Sequence, residues 1–146
     1  MFRRFLSVAL LPLAACTQPP PALSVDKGYI RLNAVPSRPA VAYFTIHGGT
    51  SDVTLLSVST AVSVKSELHE SMSSGNMAKM TPIGDFPVRA GSTNVFAPGG
   101  KHLMLFDMNP GIKPGRAVKL TFTFSNNQRI DLGVPTIAAG APAPKE

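Results

Sequence analysis

The chain has 146 residues, enough for one domain with a sizeable core, and 44% of them are hydrophobic while only 15% are charged. That balance, with twelve Gly and fourteen Pro, suits short strands and turns better than helices. The net charge of +6 comes from scattered Lys and Arg with few aromatics between them, which gives nucleic-acid binding no specific support. It falls to +4 once Arg3 and Arg4 of the leading segment are set aside, a mild basicity that suits an acidic partner or anionic lipid.

Residues 1–15 begin with two arginines, continue as a short apolar run and end on small residues, which reads as an export signal and not a spanning helix. The sequence Leu13-Ala14-Ala15-Cys16 looks like a bacterial lipobox, in which the Cys is lipidated and becomes the mature N-terminus. Thr17, in place of Asp, favours sorting to the outer membrane. The plainer alternative is an ordinary signal cleaved near Ala15. Cys16 is the sole cysteine, so no internal disulfide staples the fold. Residues 16–24 form the lipidated Cys and a Pro-rich tether, residues 25–137 the folded domain, and residues 138–146 a disordered tail.

Within the domain, strands are expected near Gly28–Leu32, Ala40–His47, Val53–Ser59, Val62–His69, Met80–Ile83, Thr93–Phe96, His102–Met108, Ala117–Ser125 and Arg129–Leu132. The clearest alternation is Val118, Leu120, Phe122 and Phe124 inward against Lys119, Thr121, Thr123 and Ser125 outward. No segment has a helical period. Short strands at this spacing predict an all-β Greek-key sandwich or barrel.

Two of the three histidines and five of the six methionines lie within residues 67–108. Ser73-Ser74-Gly75-Asn76 has the composition of a hairpin turn. A fold between Ser74 and Gly75 places His69 opposite Met80, with Cβ atoms about 4.5–5.5 Å apart. His102 and Met104 follow the Pro98-Gly99-Gly100 turn. Two apart on a strand, they share one face, while Leu103 and Leu105 take the other. Brought together, the two pairs supply two imidazoles and two thioethers. Thioether sulfur is soft and uncharged and suits Cu(I). Structural zinc sites use thiolates and histidines, and a blue-copper centre needs a Cys ligand; neither is available in the domain. Met72 and Met77 lie in the same hairpin and read as incidental, as guards of the site, or as transient copper contacts. Met108 reads as packing, His47 as a turn or surface residue, and Glu70 and Asp107 by default as solvated charges, with acceptance from a ligand imidazole as the alternative for one of them.

The pattern of His69, ten residues, Met80, twenty-one residues, His102, one residue, Met104 resembles the signature of the PCu(A)C family of periplasmic copper chaperones. So do Glu67-Leu68-His69-Glu70, Lys79-Met80 and Pro98-Gly99-Gly100-Lys101-His102-Leu103-Met104-Leu105. The likeness runs from about Tyr29 to Leu132. It departs at Tyr29-Ile30-Arg31, where the family has Trp-x-Arg, and at Ala78, where the family often has Met. The resemblance implies a cupredoxin-like sandwich with His69, Met80, His102 and Met104 as metal ligands and one Cu(I) as cargo. It further implies a periplasmic chaperone that delivers copper to the CuA centre of cytochrome c oxidase subunit II, with a Sco-type protein as a second partner; with the lipobox, the expectation is a lipid-anchored monomer. No Gly-x-Ser-x-Gly elbow, phosphate-binding loop or cysteine nucleophile of the mature fold points to an enzyme. The competing readings are a copper buffer or resistance protein using the same site, and a metal-free β-sandwich interaction module.

Overall fold

The computed structural model describes residues 16–145; residues 1–15, read above as an export signal, and Glu146 lie outside the described residues. The described residues form ten strands and no helix. These are β1 (Ser24–Arg31), β2 (Ala40–His47), β3 (Val53–Ser59), β4 (Ser63–Ser74), β5 (Met77–Pro82), β6 (Phe86–Val88), β7 (Thr93–Phe96), β8 (Lys101–Met108), β9 (Ala117–Phe124) and β10 (Arg129–Ile137).

The strand order is β5-β4-β8-β2-β1-β10-β9-β3-β6, with β7 also paired to β2. The β1–β10 pair is parallel and the other pairs are antiparallel. At that junction the sheet turns back on itself, so β5, β4, β8, β2, β7 and β1 pack against β10, β9, β3 and β6. Phe44 of β2 stacks on Phe96 of β7 within one layer at 4.6 Å, and aromatic contacts join the layers where Phe44 meets Phe122 of β9 edge-on at 4.8 Å and Phe86 of β6 meets Phe96 at 5.2 Å. Val118, Leu120, Phe122 and Phe124 all point into this core, as the alternation predicted.

The tenth strand, β6, was hidden in the sequence by Pro87 at its centre. It is an edge strand, where a residue without an N–H is tolerated. β10 runs five residues past Leu132, through Gly133 and Pro135, because Val134 and Thr136 are buried there. Beyond it the chain turns: Arg31 Nη1 donates to the Ala139 carbonyl at 3.3 Å, and the Ala141 N–H donates to the Ala138 carbonyl at 3.1 Å.

Gly48 ends β2 under close backbone contact. A Cβ there would stand 2.0 Å from the Arg89 carbonyl oxygen, and the Gly48 N–H donates to Ser92 at 2.8 Å. Gly48→Ala is therefore expected to destabilise the domain by about 1–3 kcal/mol through overpacking. A lower urea midpoint checks this, and an unchanged midpoint contradicts the close approach.

Candidate metal centre

Three adjacent strands build the site. β8 lies between β4 and β2, and β5 hangs on the outer edge of β4. His69 of β4 is directly opposite His102 of β8, and Glu67 is opposite Met104. Residues that face each other in an antiparallel pair share one side of the sheet. His69, Glu67, His102 and Met104 therefore occupy one face, and Leu103 and Leu105 are buried on the other, as alternation predicted.

The hairpin register differs from the expected one. Met80 stands opposite Ser71, and His69 stands opposite Pro82. The loop residues are Gly75 and Asn76, closed by Ser74 and Met77, and not Ser74 and Gly75. Gly75 has φ of +62° and takes the first loop position, the place where a II′ hairpin turn requires glycine. The slip amounts to two residues. A slip of one would have turned Met80 to the opposite face, whereas two preserves it. Met80 is thus a diagonal neighbour of His69, on the same face as the other three candidate ligands.

The imidazoles show a specific pattern of satisfied and unsatisfied nitrogens. Their ring centroids are 6.0 Å apart. His69 Nε2 is 3.2 Å from Glu67 Oε2, and His102 Nδ1 is 2.9 Å from the Gly100 carbonyl oxygen. A carboxylate and a carbonyl can only accept, so each of these nitrogens carries the proton. In the neutral form of each ring, the form that binds a metal, the remaining nitrogens, His69 Nδ1 and His102 Nε2, hold lone pairs. Both are buried and have no hydrogen-bond partner. A buried polar atom without a partner is costly. One imidazole nitrogen fixed by an acceptor and the other left open is the arrangement of metal-binding histidines. Two of them on directly opposed residues leave a cation as the natural occupant.

His102 is only 3% exposed and the His69 side chain 12%, while Met80 is 58% exposed. Phe106 forms a wall beside His69, its ring centroid 6.3 Å away. Val41 of β2 lies opposite Met104. Tyr29, at the family's Trp position, sits 5.1 Å from Tyr43 on the neighbouring strand, with the Arg31 guanidinium 6.0 Å from its ring. Burial pushes the Tyr43 phenol above its ordinary pKa, so it stays neutral.

Glu67 is the acceptor that sequence reasoning missed. Its place two residues before His69 was the available signal, since alternation puts both on one face. The hydrogen bond from Lys65, then that from His69, holds its carboxyl below the usual pKa, so it is ionised at neutral pH. Glu70 and Asp107, for which the sequence left this role as the alternative to plain solvation, lie elsewhere. Glu70 faces the other way and pairs with Lys101 at 3.7 Å. Asp107 is exposed, at a backbone φ of +51°. His47 bonds to Asp26 at 3.0 Å, away from the site, and Met108 packs against the core. Among the described residues no group of three or more His, Cys, Asp or Glu could hold a metal ion. A centre here needs the thioethers.

A family model described as "Putative lipoprotein LpqE-like" matches residues 23–136. The chain belongs to that family. The matched stretch of this LpqE-like protein contains β1 to β9, all of β10 but Ile137, and all four candidate ligands. A curated relative, "Putative lipoprotein Lxx21020" of Leifsonia xyli subsp. xyli, is 27% identical over 127 residues, spanning 86% of this chain and 76% of that protein. Among solved structures, the copper-bound PCuAC domain from PmoF2 superposes with a TM-score of 0.68 at 16% identity, covering 83% of this chain and 97% of that one. The solution structure of CuI-DR1885 from Deinococcus radiodurans gives 0.60 at 21%, covering 86% and 83%. At these identities the likeness establishes the fold. The all-β, cupredoxin-like sandwich expected from the sequence is the observed architecture, and it is that of PCuAC domains.

Proposed function

We propose that this protein is an exported, lipid-anchored Cu(I) carrier that holds one ion with His69, Met80, His102 and Met104 and passes it to the CuA site of cytochrome c oxidase. The carrying observation is the pair of buried, partnerless nitrogens, His69 Nδ1 and His102 Nε2, on one face with two thioethers. Neutral sulfur and imidazole donors match Cu(I), whereas zinc sites are built with thiolates that this domain lacks. Copper-bound structures of the same fold, PmoF2 and CuI-DR1885, support copper as the metal. Four protein ligands leave no open position for a substrate, so the reading is a carrier and not a catalyst.

The ligands divide into a fixed pair and a yielding one. Hydrogen bonds to Glu67 and Gly100 hold the imidazoles in orientation, and both rings are largely buried. Met80 is mostly exposed on the edge strand, and an exchanging ligand has to be one that solvent and a partner can reach. An incoming thiolate or imidazole would displace the Met80 thioether first. The recipient itself follows from the resemblance to PCu(A)C proteins. Anaerobic incubation of the Cu(I)-loaded protein with an apo CuA domain tests it. Copper should appear in the CuA domain faster than chelator-buffered Cu(I) at equal free concentration delivers it. Equal rates favour the copper-buffer reading.

Anchoring is tested separately. Among the described residues no helix is long and apolar enough to cross a membrane, and Cys16 is exposed and free at the start of the tether. Wild type should partition with membranes and incorporate labelled fatty acid, and Cys16→Ser should do neither. A soluble, unlabelled wild type in its native host contradicts the lipid anchor.

A further inference from the structure

β8 begins at Lys101, opposite Glu70, and the last tie across is the Ser71 N–H donating to the Gly100 carbonyl at 3.0 Å. Beyond that point β4 has only β5 beside it, so residues 72–79 form a two-stranded ribbon with both faces open. One face carries Ser71, Ser73, Ala78 and Met80 and continues the metal centre. The other carries Met72, Ser74, Met77 and Lys79, since Met72 stands opposite Lys79 and Ser74 opposite Met77. Met72 and Met77 are therefore diagonal cross-strand neighbours, with Cβ atoms under about 7–8 Å apart. Thioether side chains are unbranched and flexible enough to close that gap. They are 58% and 76% exposed and belong to no part of the core. They also point away from His69 and His102, so they do not line that centre.

We propose that Met72 and Met77 form a second, weaker site for a soft monovalent metal ion on the reverse face of the hairpin. Two neutral sulfurs can hold Cu(I) or Ag(I) but not hard or borderline divalent ions. Lys79 shares the face, and its charge opposes a cation. The carboxylate that precedes Met72 on this face of β4, Glu70, is committed to Lys101. Both features keep the site weak, as an ion held only briefly requires. Because β5 is an edge strand, an ion leaving Met77 has the exposed Met80 as the next thioether around the ribbon edge. Thioethers do not titrate, so the pair stays competent in acid that protonates imidazole.

The test is a titration of the full chain, carrying 13C-labelled methionine methyl groups, with Ag(I) as the probe. The Met80 and Met104 resonances should move first. Met72 and Met77 should then move together, at about tenfold or more higher free Ag(I). Their shift should persist at about pH 5, and Met72→Leu should suppress the Met77 response. Met108 serves as the unmoved reference. The proposal is overturned if Met72 and Met77 stay in place even at free Ag(I) about a thousandfold above that which saturates the other two. It is equally overturned if Met77 keeps its full response in Met72→Leu, since the two would then bind nothing jointly. Movement of Met72 and Met77 with Met80 and Met104 silent would support this site and remove the four-ligand centre, so the two readings fail separately.

Discussion

Replacing Met80 and Met104 together by Leu is expected to cost the protein about 100-fold or more in Cu(I) affinity, because changes to groups that merely orient metal ligands already cost 10–100-fold. Each swap removes a sulfur but nearly preserves volume and apolarity, which costs under about 1.5 kcal/mol even in a packed core. Met80 is mostly exposed and Met104 only partly buried, so the apo protein should melt within a few degrees of wild type. Met108→Leu is the control. Its side chain packs against the core, so stability is the property it can change and copper affinity should hold. A metal-free interaction module predicts silence from all three in a copper titration. Competition against a chromogenic Cu(I) chelator, with apo melting curves alongside, separates the two. Unchanged affinity in the double variant would remove the thioethers from the site.

The largest stability effect is expected at Phe44. Its side chain is 1% exposed and sits between Phe96 and Phe122, at the meeting of the two layers. Phe44→Ala removes both contacts and leaves a cavity that β-sheet neighbours fill poorly, for a loss of about 3–5 kcal/mol. In a domain of this size that lowers Tm by about 10–20 °C. Binding only to the folded state adds stability by mass action. Cu(I) should therefore raise the Tm of Phe44→Ala by nearly as much as it raises that of wild type, since Phe44 faces the core and not the ligand face. Thermal melts with and without Cu(I) check both points. A Phe44→Ala Tm within a few degrees of wild type would contradict the described core.

Much of this was legible in the residues. The alternation in β9 gave the orientation of four core side chains, and the spacing of His102 and Met104 gave their shared face. What the sequence concealed has local causes. Pro87 masked β6 because a proline speaks against a strand unless one knows the strand lies at an edge. Gly133 and Pro135 looked like the end of β10, although burial of Val134 and Thr136 carries it on. The hairpin register turned on which two residues of Ser73-Ser74-Gly75-Asn76 form the loop. That was decided by the glycine taking the first loop position. The predicted face of Met80 survived only because the slip was even. Glu67 was overlooked because Glu70 stands next to His69 in sequence and drew the reading first. Strand alternation would have rejected Glu70, which falls on the opposite face from His69, and selected Glu67.

The ligand shell itself is most directly tested by X-ray absorption at the copper edge on anaerobically Cu(I)-loaded protein at one equivalent. A centre built from His69, Met80, His102 and Met104 predicts two imidazole nitrogens and two sulfurs around a single copper. A shell of nitrogen or oxygen alone, or one with a single sulfur, would contradict it.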